Sequence, residues 1–328
     1  MKTFLNKRIR GESLTKEEAQ TALLGIGRGE INNSQIAAFL TSYMMKSVTV
    51  HELEGFRDAM LELAISVDLS EFDPMDVCGT GGDGKDTFNI STTSSFILAG
   101  AGQNVAKHGN HGVSSSVGSS TVLEYLGVKF TNDYDYLRSK IEHSGICFLH
   151  APLFHPAMRF VGPIRKELGL KTFFNMLGPI LNPAKVEKQI TGVYNEEILA
   201  LLGELFGKSS KNFGVIYALD GYDEISLTGD FKLITKRGTE LFSPESLGFS
   251  KCKQEDLHGG SNVEESAKIL ISILENKGTK AQTEAVLANT AAALYCADET
   301  LSISDSVLKA KESLESGRAL ESFKRFIS

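Results

Sequence analysis

Nowhere in the 328 residues does an uninterrupted apolar run approach the roughly 18 that a membrane-crossing helix needs, so no membrane span is expected. The opening stretch MKTFLNKRIRGE has no long apolar region behind its basic residues, which argues against a secretory signal and makes the cytoplasm the expected compartment. Cysteine is sparse: Cys78, Cys147, Cys252 and Cys296 are widely scattered, with no C-x-x-C spacing. Neither a zinc framework nor a disulfide scaffold follows, and buried free thiols are the expectation. Positive charge is in deficit too, with 34 Lys and Arg against 41 Asp and Glu and a net charge of −7. That balance disfavours a nucleic-acid partner, which needs clustered cations, though it leaves room for a local basic pocket. Internal repeats and low-complexity tracts are also missing. What remains is ordinary globular material, 41% hydrophobic, long enough for one large domain and one small one at about 100 to 200 residues each.

The first 70 residues read as a small helical unit. A capping box of Thr15 and Glu18 precedes Ala19, Ala22, Leu23 and Ile26 at helical spacing. A second helix carries Ile36, Phe39, Leu40, Tyr43 and Met44, and a third opens with the box Thr49 and Glu52. Three short amphipathic helices bury little alone, so they must pack on the rest of the chain, on a second subunit, or on both. Beyond residue 70 strands alternate with helices. Strands are expected at Met75 to Cys78, Asn104 to Ala106, Ile146 to His150, Gln189 to Val193 and Phe213 to Ala218, with a further edge strand around Phe231 to Thr235. Helices are expected from about Ser91, Ser119 to Leu126, Tyr134 to His143 and Ile198 to Phe206, then in the tail, where Val263 to Leu274 and Thr283 to Tyr295 carry apolar stripes. The alternation implies an α/β architecture with a largely parallel sheet.

The most telling stretch is Asp76 to Ser95, DVCGTGGDGKDTFNISTTSS, which reads strand, glycine loop, helix. Glycines let backbone N–H groups approach an anion closely, and the following helix adds its positive end. Two familiar fingerprints are nearly met, and both fail. The dinucleotide pattern needs a helix starting inside the glycine run and an acid ending the next strand, whereas here the helix starts near Ser91 and the next strand runs into Lys107. The Walker pattern needs a hydroxyl directly after its lysine, and Lys85 is followed by Asp86. An ordinary glycine turn is the bland alternative, and the flanking hydroxyls and acids weigh against it.

Three further stretches carry chemistry. Lys107 to Ser120, KHGNHGVSSSVGSS, supplies a cation, imidazoles, an amide and hydroxyls, and reads as a second anion cradle rather than a plain polar loop. Two such loops at strand ends suit a ligand with two separated phosphates, because open α/β sheets bind at the carboxyl edge. Asp223 and Glu224, in DGYDEIS, follow a strand and either form a solvated turn or bind Mg²⁺. Ala151 to Ala184 mixes Pro and Gly with apolar residues around Arg159, Arg165 and Lys171, as a hinge or shaped pocket wall would. Arg165 is either a solvated helical arginine or a clamp for a carboxylate.

Taken in order, GTGGD (Gly79 to Asp83), NIST (Asn89 to Thr92), KHGN (Lys107 to Asn110), Asp223 with Glu224, and the HPAM, GP, R and LGP pattern from His155 to Pro179 resemble the anthranilate phosphoribosyltransferase family over nearly the whole chain. The resemblance implies a small all-α N-terminal domain (1–70, completed by about 155–185) that makes a homodimer contact. It also implies a larger α/β domain (71–328) with a mostly parallel central sheet of the nucleoside phosphorylase type. The implied reaction moves phosphoribose from 5-phosphoribosyl 1-pyrophosphate (PRPP) to the amine of anthranilate, in tryptophan biosynthesis, with two Mg²⁺ ions. By matching positions, Gly79, Gly82, Asp83, Thr87, Asn89, Ile90, Ser91 and Thr92 hold PRPP, as do Lys107, His108, Gly109, Asn110, His111, Gly112, Val113, Ser114, Ser115 and Ser119. Ser91 and Glu224 serve one magnesium, and Asp223 with Glu224 the other. Gly79, Asn110 and Arg165 contact anthranilate, the arginine facing its carboxylate. The chain departs from many relatives at His111 and Ser116, where arginine and lysine are common, and at Ser120 and Thr121, where Ala and Asp are common. Losing two cations weakens the expected hold of that loop on phosphate, while Lys107 and the backbone donors remain.

Bond-breaking at ribose C1 leaves positive charge on the sugar and negative charge on pyrophosphate, so preorganised charge is the expected source of catalysis. An aryl amine is unprotonated near neutral pH. No essential nucleophile is therefore expected, and His108 is a candidate late proton acceptor. Two rivals stand beside this reading. A pyrimidine-nucleoside phosphorylase shares the fold and a KHGN-like loop but carries an additional C-terminal domain, and a non-catalytic nucleic-acid-binding relative sits poorly with the acidic balance. All of it requires Asp83, Lys107 and Glu224 to meet along one rim of the sheet.

Overall fold

Local capping signals fix where the first helices begin. The computed structural model of the chain describes residues 1–112 and 117–328. The PRPP contacts expected of Val113, Ser114 and Ser115 therefore lie outside the described residues. Helix α1 (Lys2–Ile9) precedes α2 (Lys16–Gly27), α3 (Asn33–Met45) and α4 (Val50–Glu62). Thr15 with Glu18 and Thr49 with Glu52 form reciprocal capping boxes, as expected. The expected three helices are joined by α1, which sequence pattern hides because its anchor is a buried arginine. Arg8 donates to Glu52 Oε1 at 3.1 Å and to the Lys46 carbonyl at 2.5 Å, with its guanidinium 3.8 Å from the centre of the Tyr43 ring.

The strands are β1 (Met75–Val77), β2 (Val105–Gly109), β3 (Ile146–His150), β4 (Lys188–Gly192), β5 (Asn212–Ala218), β6 (Phe231–Thr235) and β7 (Gly238–Phe242). They form one sheet in the order β3-β2-β1-β4-β5-β6-β7, parallel as far as β5 and antiparallel beyond. The mostly parallel α/β architecture is the one expected. Two strands differ from expectation. β2 runs on through Gly109, so Lys107 and His108 belong to the strand rather than to the loop behind it. β7 is the true edge, with β6 inside it.

The remaining helices are α5 (Ile90–Gly100), α6 (Ser119–Tyr125), α7 (Tyr134–Ser144), α8 (Ala151–Phe154), α9 (Gly162–Leu168), α10 (Phe174–Leu177), α11 (Glu196–Gly207), α12 (Val263–Leu274), α13 (Lys280–Ala297), α14 (Ile303–Glu315) and α15 (Arg318–Ile327). α13 is buried on every side from Ala285 to Ala297, where only a stripe was expected. Its alanines let it run flush against α5 and the sheet. A second apolar core joins Phe39 and Phe56 of the first helices to Phe173 and Leu177, and through Leu202 and Phe206 to Val215 of β5. Phe56 and Phe173 stack at 4.3 Å between ring centres. The segment from 157 to 181 thus packs with the N-terminal helices although residues 63–156 lie between them. All four cysteines are free, Cys147 and Cys296 buried, Cys78 and Cys252 half-buried. Among the described residues no helix is long and apolar enough to cross a membrane.

Candidate active site

The strand order reverses between β1 and β4, and open α/β sheets bind ligands in the crevice beyond the carboxyl ends of strands at such a point. The glycine loop leaves β1 here and stays tied to β4, with Cys78 N donating to the Ile190 carbonyl at 3.2 Å and Thr80 N to the Gly192 carbonyl at 2.9 Å. The loop after β5 closes down on both. A Cβ on Gly192 would lie 1.5 Å from the Asp223 carbonyl oxygen, and one on Gly79 would lie 2.7 Å from Asp223 Oδ2. Two glycines therefore let three loops meet, and Gly81 N donates to Asp223 Oδ2 at 2.6 Å.

The acids meet in this crowded place. Glu224 Oε1 accepts from Ser91 N, in the first turn of α5, at 3.2 Å, where the helix dipole favours an anion. Burial, then the charges of Asp83 and Glu224, raise the Asp223 carboxyl well above the usual range. Burial likewise pushes Glu224 up to about 7, against the opposing pull of the Lys107 ammonium. Asp83 Oδ2 is buried with no hydrogen-bond partner. Desolvated carboxylates that repel one another, with oxygen donors only, fit a hard divalent cation such as Mg²⁺.

Lys107 is buried, and its ammonium donates to the Val77 carbonyl and lies 3.3 Å from Ser91 Oγ. Next to it His108 N donates to Asp76 Oδ1 at 3.0 Å, and His108 Nδ1 lies 3.1 Å from the Gly178 carbonyl. That carbonyl fixes the tautomer with the proton on Nδ1, and burial drives the His108 pKa down to about 3, so the ring is neutral with its Nε2 lone pair unpartnered.

The facing wall comes from the 151–181 segment. Arg165 Nη2 donates to Asn175 Oδ1 at 3.3 Å, its guanidinium lies 5.3 Å from the centre of the Phe174 ring, and its Nε is buried without a partner. Burial lowers its pKa. Among the described residues it hydrogen-bonds an amide and no carboxylate, and so is poised for one. Between the walls lies a cavity of about 630 Å³.

Its lining brings together Gly79, Asp83, Thr87, Ser91, Lys107, His108, Gly109, Asn110, His111, Gly112, Ser119, Arg165, Asp223 and Glu224. Asp83, Lys107 and Glu224 do share one rim. Gly82, Asn89, Ile90 and Thr92 are not part of that lining. Gly82 offers its carbonyl to Lys171 Nζ at 2.5 Å, and the Asn89 amide donates to the Val117 carbonyl at 3.1 Å. Ile90 and Thr92 turn inward, buried in α5. Sequence reasoning missed Cys78, His155 and Asn175, which also line the cavity. It missed Asp76 as well, the buried acid behind His108, whose pKa burial raises to about 6. The signal for Asp76 was available, since an aspartate inside an apolar strand needs a reason.

A helical bundle domain of a glycosyl transferase family matches residues 2–64, and the a/b domain of a glycosyl transferase family matches residues 71–320. Anthranilate phosphoribosyltransferase of Cytophaga hutchinsonii is 53% identical over 327 residues, covering 100% of both chains. That of Bacteroides thetaiotaomicron is 48% identical, covering 100% of this chain and 98% of its own. The chain belongs to the anthranilate phosphoribosyltransferase family. Solved anthranilate phosphoribosyltransferases share its architecture. The enzyme from Thermus thermophilus superposes with a TM-score of 0.93 at 34% identity, covering 98% of each chain. The Saccharomyces cerevisiae enzyme in complex with PRPP and Mg gives 0.91 at 27% identity, covering 99% of this chain and 96% of that one.

Proposed function

We propose that this chain transfers the phosphoribosyl group of PRPP to the anthranilate amine, releasing pyrophosphate, as a step of tryptophan biosynthesis. The observation that carries the reading is a cavity in which a desolvated carboxylate cluster and Lys107 face an arginine that no described carboxylate holds. PRPP lies along the glycine loop and the residues after β2, its pyrophosphate toward Lys107. Asp223, Glu224 and Ser91 would hold magnesium, as two ions, one on Ser91 and Glu224 and the other on Asp223 and Glu224. Bound there, Mg²⁺ neutralises charge that develops on departing pyrophosphate.

Arg165 takes the anthranilate carboxylate in a charge-assisted hydrogen bond and turns the amine toward ribose C1. Positioning and fixed charge then lower the barrier without a protein nucleophile. After the C–N bond forms, the strongly acidic arylammonium proton has a nearby acceptor in His108 Nε2, weak in basicity but sufficient for so acidic a donor. Phosphoribosylanthranilate and pyrophosphate leave.

The reading extends to organisation: a helical domain of residues 1–70, completed by about 155–185, forms a homodimer contact, and the enzyme works in the cytoplasm. The shared core of the first helices with Phe173 and Leu177 supports the division. The test follows anthranilate fluorescence on adding PRPP and Mg²⁺, with nucleoside plus inorganic phosphate as the control. Fluorescence should fall only with PRPP, and the double variant Asp223→Ala, Glu224→Ala should lose turnover while keeping its circular dichroism. Unchanged turnover in that variant would reject the assigned metal site.

A further inference from the structure

One cluster beside the cavity has no part in the magnesium scheme. One ligand atom each from Asp76, Cys78 and His108 lies within 4.8 Å of the others. The three come from two adjacent strands and the start of the loop between β1 and α5, so the sheet itself holds them in place. Their donor atoms are underused. Asp76 is fully buried, and its Oδ2 has no hydrogen-bond partner. His108 is nine-tenths buried or more, and its Nε2 has no partner. The Cys78 thiol makes only a weak 3.6 Å contact with the Gly79 carbonyl.

The surroundings resemble a metal site's outer shell. A ligating imidazole characteristically donates its second N–H to a carbonyl or carboxylate, which fixes the tautomer and leaves the other nitrogen for the metal. His108 Nδ1 faces the Gly178 carbonyl in that way, and Asp76 Oδ1 already accepts the His108 backbone N–H. Cys78 and His108 both line the cavity. A sulfur, a nitrogen and one carboxylate oxygen form a set that zinc and cobalt favour and magnesium does not.

We propose that Asp76, Cys78 and His108 form an inhibitory site for a borderline-soft divalent ion such as Zn²⁺, separate from the oxygen-only magnesium positions. On binding, the Cys78 thiol releases its proton to solvent, and thiolate plus carboxylate balance the ion's two charges. The Lys107 ammonium, held by Val77 and Ser91, stands beside the cluster and opposes the ion, which limits affinity. Occupancy removes the His108 lone pair and sets a fixed cation next to Lys107, so turnover stops although magnesium is in excess. The inhibitory role rests on the proposed transferase reaction; the binding site itself does not.

The experiment titrates Co²⁺ into the full-length protein without magnesium or substrates and records the thiolate-to-cobalt charge-transfer band. One equivalent should produce the band and Zn²⁺ should abolish it. Cys78→Ser and Cys78→Ala, each checked for fold by circular dichroism, should lack it, while Cys252→Ser should keep it. In the anthranilate assay at saturating Mg²⁺, the Zn²⁺ concentration for half inhibition should rise more than about tenfold in Cys78→Ser, since losing a ligand costs at least what losing an outer partner does. A missing band in the wild type, or a band that survives both Cys78 variants, overturns the proposal. An absent transferase activity with the band intact would instead strike the functional reading.

Discussion

Asp223 is buried and Glu224 half-buried, and among the described residues each has one backbone donor, from Gly81 and Ser91, too little to satisfy two full charges. Their carboxyls therefore keep protons that unfolded chains release at about pH 4. The sign of the linkage follows. Between about pH 4.3 and the raised Glu224 value of about 7, the folded protein binds more protons than the unfolded one, so these groups lower stability as pH rises. Magnesium replaces those protons. The rise in melting temperature produced by a fixed Mg²⁺ concentration should accordingly be larger at pH 8 than at pH 6, and scanning fluorimetry at both values reads it. A shift that shrinks as pH rises would place the metal elsewhere. Arg165 makes a second argument at this scale. A hydrogen bond to a charged group is worth about 1.5 to 3 kcal/mol, so Arg165→Gln should lower kcat/KM for anthranilate by about 10- to 100-fold. The KM for PRPP should barely move. An equal loss toward both substrates would mean that the arginine supports the fold rather than the aromatic acid.

At the scale of elements, α1 is anchored by one fully buried ion pair, beside a partly exposed Lys7–Glu18 pair. The Arg8 and Glu52 side chains are both 0% exposed, and Glu52 Oε1 also accepts from Leu14 N at 2.9 Å and Tyr43 Oη at 2.8 Å. Removing one partner of a buried pair leaves the other charge stranded, at a cost of about 3 to 5 kcal/mol. Glu52→Ala should lose that much in urea denaturation, while Arg8→Met with Glu52→Gln loses less. A smaller loss for the single variant would deny the pair its role. The same pair explains why α1 escaped a sequence reading: its apolar residues are few, Phe4 and Leu5 packing on the core, and its buried anchor is an arginine that periodicity does not count. Lys107 escaped its strand for a related reason. It looks like loop material until the Val77 carbonyl and Ser91 Oγ are there to receive its ammonium, and both partners are distant in sequence. α13 was found but misjudged, because small alanines read as a weak stripe and pack as a fully buried rod. Elements with strong local signals, such as the capping boxes and the apolar strands β3 and β5, were legible. The glycine loop was legible as a loop between a strand and a helix, which is where it lies, between β1 and α5. That Gly192 and Gly79 serve to admit Asp223 was not, since only the packed loops show what a Cβ would strike.

Among the described residues the molecule gathers three apolar cores, one of which holds the first helices together with the 157–181 wall of the cavity. The helical end of the chain nevertheless leaves apolar side chains in water: Ile9 is 78% exposed and Met45 87%, with Met44 at 44%. These residues end α1 and α3, and Arg8 joins the two helix ends through the Ser42 and Lys46 carbonyls, at 3.3 and 2.5 Å. Large apolar side chains gathered at one end of a rigid unit suit a two-fold contact, in which the same patch serves both partners. Sedimentation velocity at micromolar concentration should give twice the 35.6 kDa of one chain. The variant Ile9→Glu, Met45→Glu sets like charges across the axis and should sediment as a monomer. That monomer should keep most of its turnover per chain, with any loss tracking reduced thermal stability of the helical unit. A wild type that sediments at 35.6 kDa would refute the contact. A folded monomer with no turnover would show that the second subunit holds the 157–181 wall in place, making the dimer part of the active site rather than a support for it.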